Sequence, residues 1–195
     1  MNVQLYNKTV KLIFTAFLVL AIASILQPFI SLLGGAQNIA HKFTGGVGFY
    51  EILNVIITIV VLGATILFVW GLYNLKSIVD GPEAQGAVNL VFIAAAIAVL
   101  SALLSFFIGG ILLALIGIAV AILYIMGYNG MKTAPGLPQP ARDGANLLFI
   151  GAILELVGAV IGIIPVVGPI LAAIIFLAAF ILYIIGWKKV ATQVA

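Results

Sequence analysis

Glu155 is the one ionisable side chain set deep inside an apolar run, about a dozen residues beyond Arg142 and so roughly 20 Å along a helix rising about 1.5 Å per residue. A carboxylate at that depth costs about 3 kcal/mol to insert, so such groups face a bundle interior, a cavity or a partner. Two chemistries fit it. As a titratable group it is a proton or cation site; as a hydrogen-bonded carboxyl it is a contact to a neighbouring helix or subunit. A relay would need a second acid or a basic partner at the same depth, and the sequence offers neither, which favours the packing role.

The other polar groups in apolar surroundings are Gln27 before Pro28, and Asn54, Thr58 and Thr65 along the second run. Their amides and hydroxyls can bond across helices at roughly 0.6 kcal/mol each, or line a solute path. Pro28 is expected to bend its helix. His41 sits beside Lys42 in a glycine-rich stretch with Glu51 further on, too isolated for a metal site. Zinc-protease, phosphate-loop and nucleophile-elbow motifs are absent, and there is no cysteine. The expectation is of no catalytic, cofactor or metal residues, and of a protein that is not an enzyme.

The elements that must carry these residues follow from composition. Of 195 residues 65% are hydrophobic and 7% charged, which cannot cover a soluble surface. The net charge of +3 is scattered in ones and twos, and no continuous basic face for nucleic acid results. Six apolar segments stand at about 9–33, 49–76, 84–107, 110–131, 143–164 and 168–189, each near or above the roughly 20 residues that span a bilayer. The first resembles a signal peptide only at its start. Its apolar run continues to Leu33 and reads as a membrane span.

Those segments repeat. Ile66-Leu67-Phe68-Val69-Trp70-Gly71 returns as Ile122-Leu123-Tyr124-Ile125-Met126-Gly127 and as Ile181-Leu182-Tyr183-Ile184-Ile185-Gly186. Gly86-Ala87-Val88-Asn89-Leu90-Val91-Phe92-Ile93 returns 57 residues later as Asp143 to Ile150. The implied fold is all-α: a polytopic membrane protein of six transmembrane helices in three hairpins (about 8–76, 84–132 and 143–189), repeated in parallel within one membrane domain. Three such hairpins can surround a pseudo-threefold axis along the membrane normal. Gly109-Gly110 and Pro165 to Pro169 predict tight turns, the prolines of 132–142 an extended connection, and Gly34 to Gly48 a long loop. At the 57-residue shift Ala98 occupies the place of Glu155, while Ser101 and Ser105 correspond to Gly158 and Gly162. Such small-residue rows let helices approach closely within a monomer or between copies. The glycines of the repeated endings read as helix ends.

Lys8, Lys11, Lys76, Lys132, Arg142, Lys188 and Lys189 fall at the end shared by both termini, and Lys42 at the other. Positive charge stays inside, so both termini are expected in the cytoplasm of a cell whose inner or plasma membrane holds the protein. Trp70, Tyr73, Tyr124, Tyr128, Tyr183 and Trp187 cluster at that same end and read as interfacial anchors.

The stretches Gly71 to Lys76 and Gly151 to Gly158, with the repeated endings, resemble small uncharacterised prokaryotic multi-pass membrane families of the domain-of-unknown-function kind. The three-hairpin layout is also similar to that of the small acid-stress membrane proteins of enteric bacteria. Neither resemblance supplies a functional residue. The function expected from the residues is a non-catalytic binding, scaffold or accessory subunit, packing through its helices against the lipid bilayer, copies of itself or a larger membrane complex. The alternative is a small-solute or ion transporter or channel using Glu155, Gln27, Asn54 and Thr58.

The charge asymmetry makes a topology prediction. Single cysteines at Ala36 and Gln139 should react with an impermeant thiol reagent from opposite sides of the membrane; reaction of both in intact cells refutes the assignment.

Overall fold

The computed structural model describes residues 2–41, 49–104, 110–161 and 167–192, and these are helical almost throughout. The order is α1 (Val3–His41), α2 (Phe49–Ile78), α3 (Pro82–Leu104), α4 (Gly110–Thr133), α5 (Gln139–Ile161) and α6 (Val167–Val190). All six contain stretches long and apolar enough to cross a membrane. In hydrocarbon every backbone amide must be paired within the segment, and a helix does that without a neighbour. Of the turns expected at Gly109-Gly110 and Pro165 to Pro169, Gly110 and Val167 to Pro169 already belong to α4 and α6, while Gly109, Pro165 and Val166 lie outside the described residues, as do Lys42, Ser105, Gly162 and the remainder of the first long loop.

Local chemistry sets several ends. The Asn2 side-chain oxygen accepts the Leu5 amide at 3.1 Å and caps α1. Gly81 takes a φ of 81°, turning the chain into Pro82 at the first position of α3. Gln139 donates to the Asp143 carboxylate at 2.7 Å across the first turn of α5. Lys76, Lys132, Lys188 and Lys189 stand in last turns, opposite the negative helix terminus.

Two expectations are corrected. Gly34 to His41 are not loop but continue α1, which passes through Pro28 to a length of 39 residues. Glycine costs a helix about 1 kcal/mol per residue, less than a backbone left without partners. The proline-rich connection is not extended either: it shortens to residues 134–138, where the Leu137 amide donates to the Ala134 carbonyl and both side chains are buried. Gly136 lies against the Asp80 carbonyl so closely that no Cβ would fit. The connection is thereby tied to the turn between α2 and α3.

Packing follows chain order. The hairpins α1–α2, α3–α4 and α5–α6 make the most extensive contacts, α4–α5 and α2–α3 join them, and a smaller α1–α6 seam closes the ring. At that seam Tyr6 donates a long hydrogen bond, 3.5 Å, to the Val190 carbonyl. On α3 the buried positions are Ala84, Ala87, Val88, Val91, Ala94 and Ala95; on α5 Ala141, Gly144, Ala145, Leu148, Gly151 and Ala152 are buried, each 57 residues later. The glycines of the repeated endings share a role. A Cβ on Gly71 would stand 2.5 Å from Ile13 Cγ1, one on Gly127 2.6 Å from Val91 Cγ2, and one on Gly186 2.7 Å from Leu148 Cδ2. Each touches the other helix of its own hairpin. They are closest-approach points and not only helix ends.

The core occupies the end that holds both termini. Trp187, Tyr6, Ile13, Leu72, Leu75, Met131 and Leu148 are fully buried there, whereas the buried residues described toward the other end, such as Ala21, Ala64, Ala172 and Ala179, are small. Large side chains such as Phe29, Ile59, Ile170 and Ile174 point outward, where a bilayer would cover them.

Gly144 tests this packing. A Cβ there would stand 2.5 Å from the Gly186 carbonyl oxygen and 2.8 Å from the Val190 nitrogen, backbone atoms that cannot turn aside. Gly144→Ala should lose about 1–3 kcal/mol of stability in a mixed-micelle unfolding titration. Gly86→Ala and Gly117→Ala, inside helices with nothing within 4 Å, should hold or gain stability by up to about 1 kcal/mol.

Candidate functional site

Above the buried core, one cavity of about 370 Å³ takes its walls from all six helices. Phe17 and Leu20 come from α1, Thr65, Phe68 and Val69 from α2, and Ala95, Ala98, Val99 and Ala102 from α3. Tyr124 and Tyr128 come from α4, Glu155 from α5, and Tyr183 and Trp187 from α6. The repeat is visible in this wall: Phe68, Tyr124 and Tyr183 are equivalent positions of the three endings, and Ala98 and Glu155 are equivalent positions of α3 and α5. All five line the same space.

Among the described residues Glu155 supplies its only carboxylate, and the side chain is exposed. The Tyr183 hydroxyl donates to Glu155 Oε2 at 2.7 Å, joining α5 to α6. No basic side chain among the described residues lines the cavity. Any positive charge that balances an ionised Glu155 there must therefore be brought in.

Beneath the carboxyl the aromatic rings form a continuous plug. Tyr124 and Tyr128, one helical turn apart on α4, stack at 5.5 Å with planes 13° apart. Tyr128 meets Tyr183 at 6.4 Å and Trp187 edge-on at 6.3 Å. Trp187 meets Phe68 edge-on at 5.4 Å, and Phe17 lies 6.4 Å from both. Edge-on contact places a ring's positive rim against the next ring's negative face, an arrangement that adds about 0.5–1.5 kcal/mol per pair beyond burial. Tyr128 and Trp187 are 2% and 1% exposed, so neither is an interfacial anchor; Trp70 and Tyr73, at 55% and 56%, do point outward. Sequence position alone put all of these rings at the membrane surface. The signal that separates them is the repeat itself, which aligns Leu72, Tyr128 and Trp187 one residue beyond the three packing glycines.

Of the polar residues read from the sequence, Glu155 and Thr65 reach this cavity. Gln27, Asn54 and Thr58 are exposed on α1 and α2 and are not part of its wall. The Thr58 hydroxyl donates to the Asn54 carbonyl at 2.8 Å and that of Thr65 to the Val61 carbonyl at 2.7 Å, so both are satisfied inside their own helix and not across helices. Ser101 behaves likewise, donating to Ala98 at 2.9 Å. Gly158 is buried against Phe176 and Ile175 of α6, a contact within the monomer. His41 ends α1, and among the described residues no three His, Cys, Asp or Glu side chains gather as a metal site.

Comparison with protein-family models, with curated proteins and with solved structures finds no match, and the chemistry of the cavity is therefore read from its own geometry.

Proposed function

We propose that the protein is a small membrane carrier that holds a cationic solute, a proton or a small organic ammonium, in its six-helix cavity with Glu155 as the counter-charge. One observation carries this reading: the single carboxylate stands in a cavity walled by every helix, with aromatic faces around it and no basic side chain. Aromatic faces attract cations through their quadrupole, and a carboxylate supplies a full opposite charge. The volume suits a small molecule. Phe68, Tyr128 and Trp187 close the cavity toward the terminal end, so a solute enters from the opposite end and release across the membrane requires that plug to part. With both termini in the cytoplasm, as the lysine distribution argues, entry is from outside the cell.

A second reading is favoured by the Tyr183 to Glu155 hydrogen bond, which already satisfies the carboxyl within one hairpin. There Glu155 is a packing group, and the protein is a scaffold or accessory subunit acting through its outward helix faces.

Glu155→Gln separates the two. The amide oxygen still accepts the Tyr183 hydroxyl, so stability and oligomer size should match the parent, while the titratable charge is gone. In reconstituted vesicles the carrier reading expects proton or organic-cation flux to fall at least tenfold; parental protein without flux, or flux unchanged in the variant, leaves the scaffold reading in its place. Gln27→Leu, Asn54→Leu and Thr58→Val lie off the cavity and should leave flux within about twofold of the parent.

A further inference from the structure

We infer that the α1–α2 face at the terminal end holds one anionic phospholipid, its phosphate between Lys8 and Lys11 and an acyl chain in the groove between α2 and α3. This site lies beside the Glu155 cavity, its groove sharing Thr65, Val69 and Val99 with the cavity wall, and it does not depend on the function proposed for that cavity.

Lys8 and Lys11 are three residues apart on α1 and so project from one face of the helix. Both line a cleft of about 530 Å³ whose far wall is Asn74 and Ser77 of α2. Two ammonium groups sharing a concave surface repel one another, and the cleft has no carboxylate in its lining to relieve them. The Ser77 hydroxyl is turned to the Asn74 carbonyl at 2.8 Å. The charged donors facing the cleft are thus the two lysines, which suit a phosphate oxygen.

What marks the ligand as a lipid is the surface next to it. Trp70 of α2 is a wall of this cleft and also of a second, apolar groove of about 580 Å³. That groove runs between α2 and α3, from the Tyr73–Phe92 ring pair at 5.7 Å down to Leu100 and Leu103. The basic cleft lies level with the helix ends, and the groove extends from it toward the middle of the spans. A polar, cationic compartment continuing past one tryptophan into an apolar one matches a phosphate headgroup joined to an acyl chain. Basic pockets between spans at the positively charged side of a membrane are suited to anionic lipid headgroups, while tryptophan favours the boundary between them and the chains. Helix-end lysines that serve orientation alone need neither a cleft nor an adjoining groove.

The test uses the full chain in detergent, titrated with short-chain phosphatidylglycerol, with the matching phosphatidylcholine, and with inorganic phosphate, and followed by native mass spectrometry and Trp fluorescence. One phosphatidylglycerol should bind at least tenfold more tightly than phosphatidylcholine, and millimolar phosphate should not displace it. Each lysine near an anionic surface contributes about fivefold, so Lys8→Gln with Lys11→Gln should weaken phosphatidylglycerol by about 25-fold. Lys188→Gln with Lys189→Gln removes the same charge from the same end and should change binding less than threefold. Equal affinity for the two lipids, equal loss in both double variants, or stoichiometric displacement by phosphate overturns the assignment, the last by making this a free-phosphate site. Should the first double variant fail to fold, Ile66→Trp, which fills the groove from an exposed position, must still lower lipid affinity while leaving the lysines in place.

Discussion

Everything in this structure rests on how near two helix backbones can come when lipid surrounds them. Between apolar helices in hydrocarbon, burial offers no net drive, and association depends on van der Waals contact and on shape. At the α5–α6 crossing Gly144 and Gly186 remove both side chains, so the carbonyl of one lies where the Cβ of the other would be. Gly127 against Val91 and Ala87, and Gly71 against Ile13, bring about the same approach in the other hairpins. Because each even-numbered helix is held at one residue, the aromatic side chains flanking that residue have their direction decided for them. Phe68, Tyr124 and Tyr183 stand three residues before the glycines, Tyr128 and Trp187 one residue after. The cavity and its plug are a consequence of the crossings.

The same constraint divides the molecule into a filled end and a hollow one. Where the hairpins cross, large residues such as Trp187, Tyr6 and Met131 exclude solvent; beyond them the wall turned inward includes the small side chains Ala98, Val99, Ala102 and Thr65, and space remains. Glu155 stands at the boundary. A carboxyl in the filled end would lose its hydration without compensation, and one on the outer face would meet lipid. In the cavity it has a tyrosine hydroxyl and room for a ligand or water.

Much of the architecture was legible because six apolar runs of spanning length are a sequence property. The 57-residue shift read from Asn89 and Asn146 carries the buried faces of α3 and α5 onto one another at all six positions compared. What could not be read is which side of each helix faces inward. Helices that are apolar all round have no hydrophobic stripe to reveal their orientation. Polarity therefore suggested a lining role for Gln27, Asn54 and Thr58, which the fold leaves on outward surfaces, and depth suggested an interfacial role for Tyr128 and Trp187, which it buries. The length of α1 escaped for a related reason: Gly34 and Gly35 are breakers in water, but a chain already paired through Leu33 keeps its ladder through them.

The seam between α1 and α6 has a consequence for assembly. Among the described residues, every other extensive backbone packing joins neighbours in the chain and can form as soon as the second member is inserted, with little loop-closure cost. The seam, and with it the ring contacts of Trp187 to Phe68 and Tyr128, waits for the last helix, so the ring closes only when synthesis has reached Trp187 and Val190, which then meet Phe17 and Tyr6. Until that moment the interior stands open along one side, and a chain stopped before α6 lacks the Tyr183 and Trp187 walls of the cavity. Closure also brings the start of α1 and the end of α6 together. A short peptide linking them, with a new opening cut between α2 and α3, would leave every contact of the ring available and move the late-forming joint to a different place on its circumference.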